Sequence, residues 1–106
     1  MKTLKLKLDY ALPESNKELP EVLTCDYIIS SVNMKHRDGL EGQLRRVFGR
    51  LQRKCDEAIE KKYDVLELED SEFDLIKDCF EEAKFPPVLA KYINVLEEEI
   101  ERAAKA

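Results

Sequence analysis

The chain has 106 residues, 43% of them apolar and 39% charged, with a formal net charge of −5 and a sequence pI near 5.0. That length suits one modest core without disulfide or metal staples, and leaves too little for two. No apolar run approaches the ~18 residues of a membrane span and no signal-peptide apolar segment follows the N-terminus, so a cytoplasmic protein is expected.

The first element is "TLKLKLDY", residues 3–10. Leu4, Leu6 and Leu8 alternate strictly with Lys5, Lys7 and Asp9, which is the period of a half-buried strand. Next comes "LPEVLTCDYIISSVNMKH", where β-branched residues argue for a strand. Thr24 as a helix cap, with Cys25, Ile28, Ile29 and Val32 on one side, argues for a helix over 22–33, and the helix is the preferred reading. Residues 39–62 predict a third element without ambiguity. Leu40, Leu44, Val47, Phe48, Leu51, Cys55 and Ile59 fall within one arc of a helical wheel.

"YDVLELED", residues 63–70, alternates again. Beside the first strand it would bury leucines together and set lysines opposite glutamates. Two strands alone are marginal, so helices must cover the leucine face. Ser71 and Asp74 then resemble a capping box, and Phe73, Ile76, Cys79, Phe80 and Ala83 repeat at helical spacing. Pro86 pushes Phe85 out of the α region and ends that helix, and Pro87 opens the last one. Leu89, Tyr92, Ile93, Leu96, Ile100 and Ala103 form the apolar stripe of the final helix. A stripe so long in so small a domain suggests a homodimer through this helix.

These elements make a single α+β domain over residues 1–106, mainly helical, with about four helices and a short two-stranded β element (residues 3–10 and 63–70). Its expected core is Leu44, Phe48, Leu51, Phe73, Ile76, Phe80, Leu96 and Ile100.

Charge divides the chain more sharply than composition does. Residues 1–63 carry 13 Lys/Arg against 10 Asp/Glu, and residues 64–106 carry 5 against 13. Within the first part, residues 35–54 hold a local charge of +5. Arg45, Arg46, Arg50, Arg53 and Lys54 occupy the half of helix 39–62 opposite its apolar arc. Gly42 and Gly49, seven apart, lie on one line beside this face, each costing about 1 kcal/mol relative to Ala inside a helix. That cost suggests close approach by another backbone or by a ligand.

Three readings fit the face. It is a solvated side partly neutralised by the chain's own acidic half, a docking face for an acidic protein partner, or a nucleic-acid interface. Arginines at helical spacing can track phosphates, but the chain is acidic and Phe48, the one aromatic of the stretch, lies on the apolar side, so bases have no stacking platform. Protein docking is therefore preferred to nucleic acid.

Enzyme chemistry finds no motif. There is one histidine, His36, and no CxxC, HExxH, Gly-rich phosphate loop or GxSxG. Cys25, Cys55 and Cys79, odd in number and widely spaced, fit reduced, buried thiols. "ELEDSEFD" gathers five acids but lacks the glycine turn and terminal glutamate of a calcium loop. No cofactor or metal is expected. The sequence describes a non-enzymatic accessory or regulatory protein, a type common among phages and other mobile elements.

Overall fold

Leu4, Leu6, Leu66 and Leu68 are each at most 3% exposed, and their common burial sets the sheet. In the computed structural model, which describes residues 1–10 and 18–106, β1 (Lys2–Lys5) pairs antiparallel with β2 (Val65–Leu68). Leu4 stands opposite Leu66 and Lys2 opposite Leu68. Four helices complete the α+β architecture: α1 (Pro20–Lys35), α2 (Gly42–Lys61), α3 (Asp70–Glu82) and α4 (Ala90–Lys105), the last preceded by a 3-10 turn, Pro87–Leu89. One hydrophobic cluster draws on β1, β2 and all four helices.

Both strands are shorter than their alternation predicts. Leu6 N–H still donates to Asp64 C=O (2.9 Å), but Leu8 N–H turns back onto Leu6 C=O (3.1 Å), and the chain leaves the sheet. Tyr10 follows it under α1, where its hydroxyl meets that of Thr24 at 2.6 Å. Burial pushes the Tyr10 phenol up to about 12, so it stays neutral and hydrogen-bonded. The expected lysine–glutamate ladder is absent from the register. Lys5 faces Val65 and Glu67 faces Thr3, because the buried leucines dictate the alignment.

The ambiguous second element is a helix, but Thr24 does not cap it. Pro20 occupies its first turn, a position that needs no N–H. Thr24 lies one turn further in, fully buried, its hydroxyl 2.8 Å from Leu6 C=O and 2.9 Å from Pro20 C=O. Thus α1 is pinned to the chain just past β1 by a polar side chain inside the core. At α3 the capping box stands two residues earlier than Ser71 and Asp74. Glu69 is the N-cap, and its N–H donates to Glu72 Oε1 at 2.8 Å. The same helix stops at Glu82, with Ala83 already extended, three residues before the constraint of Pro86 reaches Phe85.

Seven of the eight expected core residues are buried; Leu44 is 41% exposed. Since α2 starts at Gly42, Leu44 falls in its first turn, where residues 43–46 are exposed all round. The C-terminal stripe is buried within the chain, with Ile93, Leu96, Ile100 and Ala103 each at most 8% exposed. Leu89 and Tyr92 of the same stripe are partly exposed.

Helix α4 also closes the outer edge of β1. Lys5 N–H donates to Glu99 Oε2 (2.9 Å), and Thr3 C=O accepts from Arg102 Nη2 (3.2 Å). Arg102 holds Glu99 in turn, at 2.7 Å from Nε to Oε1 and 2.6 Å from Nη2 to Oε2. Burial pushes the Glu99 carboxyl up, but the Arg102 guanidinium and the Lys5 N–H outweigh it and leave the group below its usual 4.5.

Two outcomes follow from this packing. Leu51→Ala, at a fully buried site, costs about 2–5 kcal/mol in denaturant unfolding, whereas Leu44→Ala stays within about 0.5 kcal/mol of the parent. The lowered Glu99 group contributes stability that is whole above pH 4.5 and is lost as pH falls through its folded value. Melting temperature followed against pH should therefore drop less steeply below 4.5 in Glu99→Gln than in the parent.

Candidate functional site

The basic side of α2 divides into two parts with different surroundings. Lys54 turns toward the β2–α3 junction. Its Nζ lies 2.5 Å from Glu72 Oε1 and 3.1 Å from Glu67 C=O. Arg50, one turn earlier, brings Nε to 3.8 Å from Glu72 Oε2. Neither of those two atoms has a hydrogen-bond partner among the described residues, so they face each other across a gap with only their charges engaged. The Glu72 side chain is fully buried, while Lys54 keeps about a third of its side chain in water. A buried carboxylate needs both a counter-charge and donors. Lys54 and the Glu69 N–H supply them on one oxygen, and Arg50 supplies charge at the other. Lys35 is similarly occupied, bridging Asp78 (2.5 Å) and Glu82 (3.4 Å) on α3. To that extent the acidic half does neutralise the basic one.

Arg45, Arg46 and Arg53 point the other way. All three are exposed, and none lies within 4.0 Å of an acidic group among the described residues; Arg46 Nη2 reaches only Gln43 Oε1, at 3.4 Å. Arg45 and Arg53 stand one turn before and one turn after Gly49, so the three positions lie along one line of the helix. The structure thus brings Arg45, Arg46, Arg53 and Gly49 to one open strip, and withdraws Arg50 and Lys54 from it.

The two glycines have different explanations. Gly42 opens α2 with φ +21°, a conformation that side chains disfavour, so backbone geometry accounts for it. Gly49 has ordinary helical geometry. A Cβ built there meets nothing within 4 Å, and one at Gly42 meets only the Arg46 guanidinium at 4.0 Å. The close approach of another backbone, expected from the sequence, does not occur among the described residues. Gly49 instead borders a groove of about 610 Å³ between α1 and α2, whose walls include Asp26, Ile29, Arg53 and Asp56.

Cys25 and Cys55 meet at the base of this groove, both at most 2% exposed. Hydrogen bonding to Cys25, then burial, pushes the Cys55 thiol far up. Burial likewise raises Cys79. All three cysteines are free thiols, and the two with raised values are poor nucleophiles. His36 ends α1, its Nε2 buried without a hydrogen-bond partner among the described residues. Of the acid-rich run, Glu69 and Glu72 are consumed in the start of α3, and no group of three or more potential metal ligands forms among the described residues. Sequence reading missed Glu72 as the centre of this arrangement. The available signal was the Glu69-x-x-Glu72 spacing before an apolar run.

The division of the face is measurable. Lys54→Met leaves Glu72 buried without its nearest cation and lowers stability by roughly 3 kcal/mol, the low end for such pairs because Lys54 is partly solvated. Arg45→Gln and Arg53→Gln, on the solvated strip, change it by no more than about 0.5 kcal/mol. Equilibrium denaturation of the three variants checks both statements.

No family model, no curated protein and no solved structure matches this chain. The role assigned to the site therefore rests on its residues.

Proposed function

We propose that the chain is a non-enzymatic binding protein that docks an acidic protein surface through Arg45, Arg46 and Arg53 around the bare backbone at Gly49. The observation that carries this reading is Gly49 itself. A glycine in the middle of a helix costs about 1 kcal/mol relative to Ala. At Gly42 a positive φ offsets that cost, but at Gly49 neither φ nor a neighbouring atom does. What the missing side chain leaves is an open strip of helix backbone between two guanidiniums that make no ion pair among the described residues. A partner's backbone or carboxylate can approach such a strip closely, with an arginine on either side to set its charge and register. Arg50 and Lys54, included in the basic face on sequence grounds, belong to the framework that holds α2 in place. Three buried free thiols fit the reducing cytoplasm in which we place the protein.

Gly49→Ala separates this reading from a merely solvated face. With open space above it, the added methyl should stabilise the fold by about 0.5–1 kcal/mol. If the strip is a docking surface, the same variant binds its target more weakly despite being more stable. The triple variant Arg45→Gln, Arg46→Gln, Arg53→Gln should keep the parent melting temperature. It should bind a polyglutamate peptide at least tenfold more weakly at low salt, while the parent fails to retard random DNA or RNA at moderate salt. Retardation of nucleic acid that weakens steeply with salt, with a slope shared by the three arginines, replaces the protein reading with the nucleic-acid one.

A further inference from the structure

The sheet has two outer edges, and among the described residues only one is closed. On β1, Thr3 and Lys5 turn their backbone groups outward, and Arg102 and Glu99 of α4 meet them. On β2 the inward positions are Asp64, Leu66 and Leu68, since Asp64 C=O accepts from Leu6 N–H and the leucines pair with Leu4 and Lys2. Antiparallel alternation therefore sends the N–H and C=O groups of Val65 and Glu67 outward. Of these four, Glu67 C=O accepts from Lys54 Nζ, and the other three have no partner among the described residues. An open row of this kind is a template for another strand.

The surroundings of the row are apolar and shaped. Of the six exposed large hydrophobic residues in the described chain, three flank it: Met1 (78%), Tyr63 (43%) and Val65 (37%). They border a groove of about 630 Å³ between β2 and α2, within the size range of ligand clefts. Its far wall is formed by Lys54 and Glu57 of α2. A strand edge beside a helix is the geometry in which extended peptides are captured by strand addition.

Charge selects the occupant. Asp64 is paired with Lys7 and Glu57 with Lys61, and Lys54 is held by Glu72. The Glu67 carboxylate, exposed on the outer face beside Val65, makes no ion pair among the described residues. A strand laid against β2 would thus set one side chain against Val65 and another against Glu67. Cross-strand preference asks for an apolar residue at the first and a cation at the second.

We propose that the outer edge of β2 binds an extended segment of a partner protein that carries an apolar and a basic residue two positions apart, on one face, adding it to the sheet as a third strand. Val65 N–H, Val65 C=O and Glu67 N–H make the new backbone bonds. Glu67 C=O, having two lone pairs, accepts from the segment while keeping or releasing Lys54. This surface is separate from the Gly49 strip and does not depend on it.

The probe is a fluorescein-labelled peptide, Thr-Lys-Thr-Val-Thr-Thr-amide, whose Lys and Val share one face, titrated by anisotropy, with amide hydrogen exchange of the full chain read in parallel. Binding should slow exchange at Val65 and Glu67 at least tenfold. Thr-Glu-Thr-Val-Thr-Thr-amide, and the lysine peptide N-methylated at its Lys and Val, should each bind at least tenfold more weakly. Val65→Pro removes a donor that has no partner within the described chain, so the fold should survive while affinity falls at least tenfold. Glu67→Lys, an exposed change that keeps every backbone group, guards against a misfolded proline variant and should reverse the preference between the two charged peptides. Equal binding of both charged peptides, or undiminished binding to Glu67→Lys, overturns the proposal. So does unchanged exchange at the two amides. Protection of those amides in the free protein that disappears on dilution also overturns it, because a second copy then occupies the edge.

Discussion

A buried carboxylate holds the middle of this molecule together. Glu72 sits where β2 ends and α3 begins, with its side chain out of water, and three elements converge on it. Its own helix start is satisfied through the Glu69 N–H, α2 is bound through Lys54, and Lys54 reaches on to the backbone of β2 at Glu67. A fully desolvated anion is costly unless charge and hydrogen bonds are both supplied, so α2 must lie in the one rotation that presents Lys54 and Arg50 to it. That rotation decides which arginines are left over. Arg45, Arg46 and Arg53 face solvent because their neighbours on the wheel are committed to Glu72.

The same logic of satisfied and unsatisfied groups distinguishes the two ends of the sheet. At β1, the chain covers its own edge with Glu99 and Arg102, and Lys2 Nζ reaches Ala104 C=O at 3.0 Å, tying the first strand to the last helix. At β2, the ammonium of Lys54 meets one backbone oxygen, and three groups have no partner among the described residues. A chain whose first residues pair with residues more than sixty positions later, and then with its last helix, closes its sheet through non-local contacts. Loop closure of that length favours slower folding than a local helical hairpin would allow.

Most of the architecture was legible because its signals are periodic. The alternation of Leu4 with Leu6 and of Leu66 with Leu68 survives as the inner face of the sheet, and the arcs of α2, α3 and α4 are buried nearly as read. The failures have local causes. Helix α1 reads ambiguously because its inner side carries the β-branched Thr24, Ile28 and Val32, and because buried Glu21 and Ser31 blur its apolar stripe. Leu44 lies on the correct arc but in a first turn that the core does not reach. Ser71, an N-cap residue of the usual kind, draws the capping box to itself and Asp74, although Asp is not the usual acid there, whereas Glu69 and Glu72 form the box two positions earlier. In the candidate site, spacing showed that five cations share one side of α2. It gave no sign that two of them answer a glutamate on another helix, since that pairing depends on how the helices pack and not on any periodicity within one of them.

Glu72 and Lys54 act as one unit of the fold. A double-mutant cycle tests it most directly, using Lys54→Met, Glu72→Leu and the pair together, with unfolding free energies from denaturant titration. The expected coupling is about 2 kcal/mol or more, the double variant being far more stable than the sum of the single losses implies. Additive losses, with coupling below about 0.5 kcal/mol, would contradict it, because the two side chains would then be neighbours without being partners.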